Sequence, residues 1–277
     1  MKHFIFSLFI ILLSFPAFAA DKQSTFDRVM ESGTIRCGYG LWAPALIRDP
    51  NTGEFSGIFY DYVEELGKLL NLKIEWAVEV NLATYLEDLN AGKFDLECSG
   101  GWPNAFRGKF VDYTTPIFFT PVFLYGRADE TRFNSDINQA NNPDIRFSVM
   151  DGETSEQIKR QRFPLASEIA VPPSNPMSEL LDQVRYKKAD LIAIDSMEAI
   201  AYMREHTGAI KKISDKPLRI TENNMTVPAG EDRFRHMLDI ATRQLLNDGV
   251  IEQILKKYNV SEDEALRVLP PYQKQQD

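Results

Sequence analysis

Arg107 is the side chain from which chemistry can be argued first. It follows the stretch SGGWPNAF, residues 99 to 106, in which two glycines, a tryptophan and a proline succeed an apolar run. A guanidinium offers a planar fork of donors that fits a carboxylate in bidentate fashion. Gly100 and Gly101 allow backbone N–H groups to approach a ligand closely, or simply allow a tight turn. Spacing alone therefore fits an anion-binding loop, and equally an ordinary strand-to-helix turn with a solvated arginine. Asp195, at the end of the apolar run ADLIAID, stands where it can cap the helix expected over SMEAIAYMREH. Glu97 interrupts the run FDLECS, and a buried carboxyl there requires a partner such as a lysine, an arginine or a ligand amine.

Established catalytic patterns do not accompany these residues. The sequence holds no CxxC, no HExxH, no GxSxG elbow and no Walker-type loop, and His206 and His236 stand apart. No metal or other cofactor is expected. Cys37 and Cys98 each lie in an apolar run, TIRCGYG and FDLECSG, and are expected as two small buried thiols, with a disulfide as the alternative.

The elements that must position these groups alternate. Thr34 to Tyr39 is a short strand, IFYDYVEELGKLL carries apolar residues at helical spacing, and LKIEWAVEV alternates at period two. TYLEDLNAGK is a helix stopped by Gly92, and FDLECS is the next strand, with Ser99 to Asn104 leaving its end. A second alternating series follows: IRFSVMD, SEQIKRQRF, IAV, MSELLDQVRYKK, DLIAID and SMEAIAYMREH. Strand–helix alternation of this kind implies parallel sheet covered on both faces, here in two α/β lobes. In such sheets ligands collect at the carboxyl ends of strands, where Ser99 to Asn104 falls. The tail DRFRHMLDIATRQLLNDGVIEQILKKYN predicts two helices punctuated by Gly249.

Whole-chain properties bound the function. With 277 residues, 44% hydrophobic and 26% charged, the chain is long enough for two lobes with real cores. A net charge of -9 without blocks of like charge argues against a nucleic-acid partner. Residues 1–19 carry Lys2, the apolar run FIFSLFIILLSF and the small-residue site PAFAA, and are expected to be a cleaved signal peptide that sends the chain to the periplasm. Residues 263–277 are expected to be a polar tail.

Taken in order, GTIRCG, GEFSGIFYDYVEELGKLL, LEDLNAGKFDLECSG, FRGKFVDYTTPIFF and LLNDGVIEQILKKY resemble the bacterial extracellular solute-binding proteins of family 3, the periplasmic amino-acid receptors of ABC importers. The resemblance implies a periplasmic binding protein-like type II fold, two α/β lobes joined by a two-crossover hinge. Lobe one would span 25–119 and 224–262, and lobe two 120–223, with crossovers near Phe118 to Val122 and Met225 to Pro228. It implies that Arg107 clamps a ligand α-carboxylate and that Asp195 accepts the α-ammonium group. It further implies ligand contacts from Gly152 and Thr154 in DGETSEQ, from Trp42 in LWAPA, and from Ser99 and Gly100. The implied partners are a small ligand, an amino acid, and a membrane ABC permease, for a binding protein and not an enzyme; the sequence carries no positive signal for dimerisation, so a monomer is expected.

The chain departs from the family pattern at four positions. Trp102 replaces a small hydroxyl residue, Leu82 an aromatic, Phe59 an aspartate, and Glu97 an apolar residue. Trp102 can supply the missing aromatic wall or shrink the cleft. Two other functions remain on the same fold: binding of a small molecule that is not an amino acid, and a cyclohexadienyl-type dehydratase with Glu97 or Glu153 as its acid or base.

Overall fold

The computed structural model describes residues 23–133, 136–261 and 263–266. The expected signal peptide and most of the expected polar tail lie outside them. Among the described residues, twelve strands and eight α-helices follow the alternation of the sequence. Through the first part run α1 (Thr25–Ser32), β1 (Thr34–Tyr39), β2 (Ile47–Arg48), β3 (Phe55–Ser56), α2 (Ile58–Leu70), β4 (Lys73–Glu79), α3 (Tyr85–Asn90), β5 (Leu96–Gly101), β6 (Val111–Tyr113) and β7 (Phe118–Arg127). Then come β8 (Arg146–Met150), α4 (Thr154–Arg162), β9 (Ser167–Val171), α5 (Ser178–Arg185), β10 (Leu191–Asp195), α6 (Ser196–Glu205), β11 (Ile210–Lys212), β12 (Arg219–Pro228), α7 (Asp232–Asn247) and α8 (Val250–Lys257).

Helix α2 forms where the apolar spacing requires it. Ile58, Phe59, Tyr62, Val63 and Leu66 are buried on one face, as a period of 3.6 demands of a surface helix. Asn71, in the left-handed conformation, ends it by donating its N–H to Gly67 O and Lys68 O. Strand β4 alternates exposed and half-buried residues along its length, the signature of a strand with one face on the core.

Ten strands form one mixed sheet, ordered β4-β1-β5-β12-β7-β10-β8-β9, with β11 on β7 and β6 on β12. The outer portions are parallel, as the alternation implies: β1 with β4 and β5, β8 with β10 and β9. Its centre is antiparallel, because the ten-residue strands β7 and β12 run past each other from Arg219 opposite Val122 to Asn223 opposite Phe118. Beyond that, β12 leaves β7 and pairs with β5, Asn224 opposite Gly101.

Burial divides across this centre. One core gathers residues from Val29 to Phe118 with Met225 to Ala265, including α2 and α7, and takes in Met197 of α6 from the other side. Two others, built only from residues between Val122 and Leu218, cover opposite faces of the remaining strands.

Cys37 and Cys98 are bonded to each other, which corrects the expectation of two free thiols. The cause is register. Strands β1 and β5 are parallel neighbours with Cys37 opposite Leu96, which brings the two Cα atoms to 5.5 Å, inside the range a disulfide spans. Strand β5 also runs further than expected, through Ser99 to Gly101, so that the loop begins at Trp102.

Candidate ligand-binding cleft

One cavity gathers its lining at the carboxyl ends of parallel strands. The cavity, of about 710 Å³, is lined by Gly40 to Trp42 after β1, Glu79 to Leu82 at the end of β4, and Glu97 with Ser99 to Trp102 on and just after β5. Arg107 and Tyr85 complete that side. Glu153 after β8, Pro173 to Met177 after β9, and Asp195 with Glu198 after β10 close it from the other. Loops converge there because each parallel strand ends on the same sheet edge.

On the β5 side, backbone and indoles are fixed by hydrogen bonds. Ser99 Oγ accepts from the Gly40 N–H at 2.9 Å, and Trp42 Nε1 donates to Ser99 O at 2.8 Å. Trp102 Nε1 donates to Asn223 Oδ1 at 3.0 Å, so this wall is tied to the antiparallel centre of the sheet. The two indoles meet edge to face at 6.2 Å, a favourable aromatic geometry. Gly100 has φ of 93°, and a Cβ there would run into the ring of Phe59. Phe59 therefore packs beneath the cleft wall, where it also stacks on Phe118.

Glu97 points into this wall and is 5% exposed. Its Oε1 accepts from the Ser99 N–H at 2.9 Å and from Ser99 Oγ. Its Oε2 is buried and has no hydrogen-bond partner among the described residues. Burial pushes the carboxyl above its ordinary range, opposed by the Ser99 bonds and by the charge of Arg107. The lysine, arginine or amine contact expected for it is thus replaced in part by serine.

Arg107 opens a short 3-10 turn, Arg107–Lys109, whose start is fixed by Asn104 Oδ1 accepting from the N–H groups of Phe106 and Arg107. Its guanidinium lies over Tyr85 at 5.7 Å and donates through Nη2 to Glu153 Oε1 at 2.5 Å. Glu153 stands at the N-cap of α4 without using its side chain to cap it. The ion pair therefore joins β5's loop to β8's loop across the cavity.

Asp195 is 1% exposed and does both things its position allows. It caps α6, Oδ1 accepting from the Glu198 N–H at 2.9 Å, and it lines the cavity. Burial pushes it up to about 6, against the helix N–H bonds that favour its charge. Glu198 is driven up to about 8, first by burial and then by the like charges of Asp195 and Glu205.

Of the residues singled out from sequence, Arg107, Asp195, Trp42, Ser99, Gly100 and Trp102 line one cavity, as do Leu82, Glu97 and Glu153. Gly152 and Thr154 do not line it. Gly152 is solvent-exposed and its N–H is donated to Glu156 Oε2 at 3.0 Å, and Glu153, between them, is the residue of that turn that reaches the cavity. Sequence reasoning missed Glu198, Tyr85, Glu79 and the Pro173 to Met177 segment. Only Glu198 carried a signal, as the acidic residue three positions after a helix cap.

The model of the bacterial extracellular solute-binding proteins, family 3, matches residues 35–261, and the chain belongs to that family. A cyclohexadienyl dehydratase of Pseudomonas aeruginosa is 25% identical over 261 residues, 93% of this chain and 94% of that protein. Among solved structures, an ancestral amino acid-binding protein described as a precursor of cyclohexadienyl dehydratase superposes with a TM-score of 0.73 at 24% identity, covering 85% of this chain and 99% of the other. An ancestral arginine-binding protein bound to arginine superposes with a TM-score of 0.71 at 21% identity, covering 82% and 98%. The fold is thus the periplasmic binding protein-like type II fold, a mixed sheet carrying two α/β lobes.

Proposed function

We propose that this member of the extracellular solute-binding family captures a small zwitterionic ligand, an amino acid, between its lobes and delivers it to an ABC importer from the periplasm. Lobe one is 25–119 with 224–262, and lobe two is 120–223. The observation that carries the proposal is that Arg107 and Asp195, from opposite sides of the antiparallel centre, line the same cavity. A ligand carboxylate on the first and an ammonium group on the second tie the lobes together, so the closed arrangement is favoured by the ligand's differential affinity for it. Excluding water strengthens both contacts.

The test is the thermal unfolding midpoint of the mature protein, unfolded and refolded to remove carried-over ligand, against the twenty amino acids. A ligand that binds only the folded state at a hundred times its Kd adds about 2.7 kcal/mol. A rise with an amino acid that disappears in Arg107→Ala supports the proposal. Absence of any rise refutes it.

The dehydratase relative favours a second function, together with Glu97 and Glu153, two of the carboxyls that line the cavity. Glu97, whose carboxyl burial pushes above its ordinary range, is the group placed to donate a proton to a departing hydroxyl. Incubation with a cyclohexadienyl substrate would then yield aromatic product by ultraviolet absorbance, lost in Glu97→Gln. No product would leave the receptor function alone.

A further inference from the structure

Beyond α8 the chain turns back across the junction of the lobes. Ser261 and residues 263–266 follow Val260, and within this polar stretch Glu264 and Ala265 are buried. A charged residue withdrawn from water so near the end of a chain calls for a reason.

The sheet leaves a place for this segment. Strand β10 pairs with β7 only as far as Asp195 opposite Val122, which leaves that edge of β7 unpaired at its first residues. Leu266 takes the edge. It donates its N–H to Phe119 O at 2.7 Å and accepts the Phe119 N–H at 2.9 Å, while Glu222 of β12 stands opposite Phe119 on the other side. Three segments, β7, β12 and the tail, therefore lie side by side where the chain passes between lobes.

Glu264 fastens the tail to lobe two. Its carbonyl accepts from Ser196 Oγ at 3.2 Å, at the start of α6. Its carboxylate, 0% exposed, lies 3.1 Å from the guanidinium of Arg204, two turns further along the same helix. Ser261 orients that carboxylate, donating its N–H and Oγ to Oε2 at 2.9 and 2.8 Å. The next residue, Ala265, belongs to the core built on α2 and α7. Neighbouring residues are thus anchored in different lobes, and a rotation of one lobe against the other must release one anchor. Parting a buried carboxylate from its guanidinium is costly, because the charge is left unpaired out of water.

We propose that Ser261 and residues 263–266 form a strap across the hinge, with Glu264 as its clasp, that holds the lobes near the arrangement in which Arg107 meets Glu153. Contacts made in one arrangement and broken in another shift the population toward the first. The strap acts on the hinge itself, so it stands whether the ligand is an amino acid or another small molecule.

Small-angle X-ray scattering and amide hydrogen exchange of the full-length mature protein, refolded to remove ligand, test it. Ser196→Ala combined with Arg204→Ala takes away both partners of Glu264 on α6. The radius of gyration should then rise by roughly 1 Å from about 18 Å. Exchange at the Phe119 N–H should quicken at least about tenfold, with α2 and α4 as protected as before. Leu266→Pro, at a half-buried position, removes the N–H given to Phe119 without touching α6, and should move both readouts in the same direction should the pair of alanines impair folding. A folded variant with the native radius of gyration overturns the proposal. Faster exchange at Phe119 without expansion overturns it too, since the tail would then lie on the hinge without restraining the lobes.

Discussion

Asp195→Asn should stabilise the ligand-free protein at neutral pH while abolishing capture. The substitution keeps an oxygen able to accept the Glu198 N–H bond at 2.9 Å, so the α6 cap survives. What it removes is a carboxyl whose folded-state pKa is raised from 3.8 to about 6 by burial. The sign follows from proton uptake. Below pH 3.8 the carboxyl is protonated in both folded and unfolded chains and costs nothing. Between 3.8 and about 6 the unfolded chain ionises first, so folded stability falls as pH rises, and above about 6 the loss is complete. At about 1.4 kcal/mol per tenfold change in proton affinity, that loss is about 3 kcal/mol. Glu198, raised to about 8, remains largely protonated at pH 7 and adds little repulsion there. The asparagine amide must itself be satisfied, so the net gain at pH 7.5 should be roughly 1–3 kcal/mol, which for a chain of this size raises Tm by roughly 2–10 °C. Scanning calorimetry of refolded protein at pH 3.5 and pH 7.5 reads both ends. The variant should match the native chain at the lower pH and exceed it at the higher one. A variant less stable at pH 7.5, or one with the same advantage at both pH values, would show that burial of this carboxyl is not what raises its pKa.

Two further perturbations bear on the same elements. Glu153→Gln removes the carboxylate that Arg107 holds, so affinity for an amino acid should rise by about tenfold in isothermal titration, with ligand-free stability falling by roughly 1–3 kcal/mol as the guanidinium loses its partner. Replacing both Cys37 and Cys98 by alanine opens a link between residues 61 apart and should lower urea-unfolding stability by about 4 kcal/mol, with the ligand specificity unchanged.

The elements legible in the sequence are those whose pattern is local. Helix α2 was expected over the same thirteen residues it occupies, because its apolar face and its stop at Asn71 are written within four positions of each other. Strands β7 and β12 escaped notice beyond their crossovers. FFTPVFLYGR is buried on both faces and RITENNMTVP mixes buried asparagines and threonines, so neither alternates. Their pairing joins residues about a hundred positions apart, and period-two reasoning is blind to it. The disulfide was hidden for the same reason, since only the β1–β5 register decides whether two buried thiols face each other. In the site, Arg107 and Asp195 were readable from residue type and family pattern, whereas Tyr85 looked like any aromatic at a helix start. Gly152 and Thr154 illustrate the opposite limit: a motif can match while the cleft is reached by the residue it surrounds.

Glu153 changes what binding means in this cleft. In a receptor where the arginine is open, a ligand carboxylate adds a contact. Here Arg107 already donates Nη2 to a carboxylate of its own chain at 2.5 Å, so the ligand enters by exchange, and the free energy of that internal pair is subtracted from its affinity. The same pair bridges the two sides of the cavity, giving the lobes an attraction that needs no ligand. A ligand can then shift the lobes only by what it adds beyond Glu153. A zwitterion whose carboxylate merely replaces that of Glu153 adds little on the arginine, and its advantage must come from the opposite end of the cavity. That end is where Asp195 stands, buried at the start of α6. Closure in this protein should accordingly be governed by what the ligand's ammonium group gains at Asp195, and Asp195→Asn should affect it more than variants that alter how the carboxylate is held.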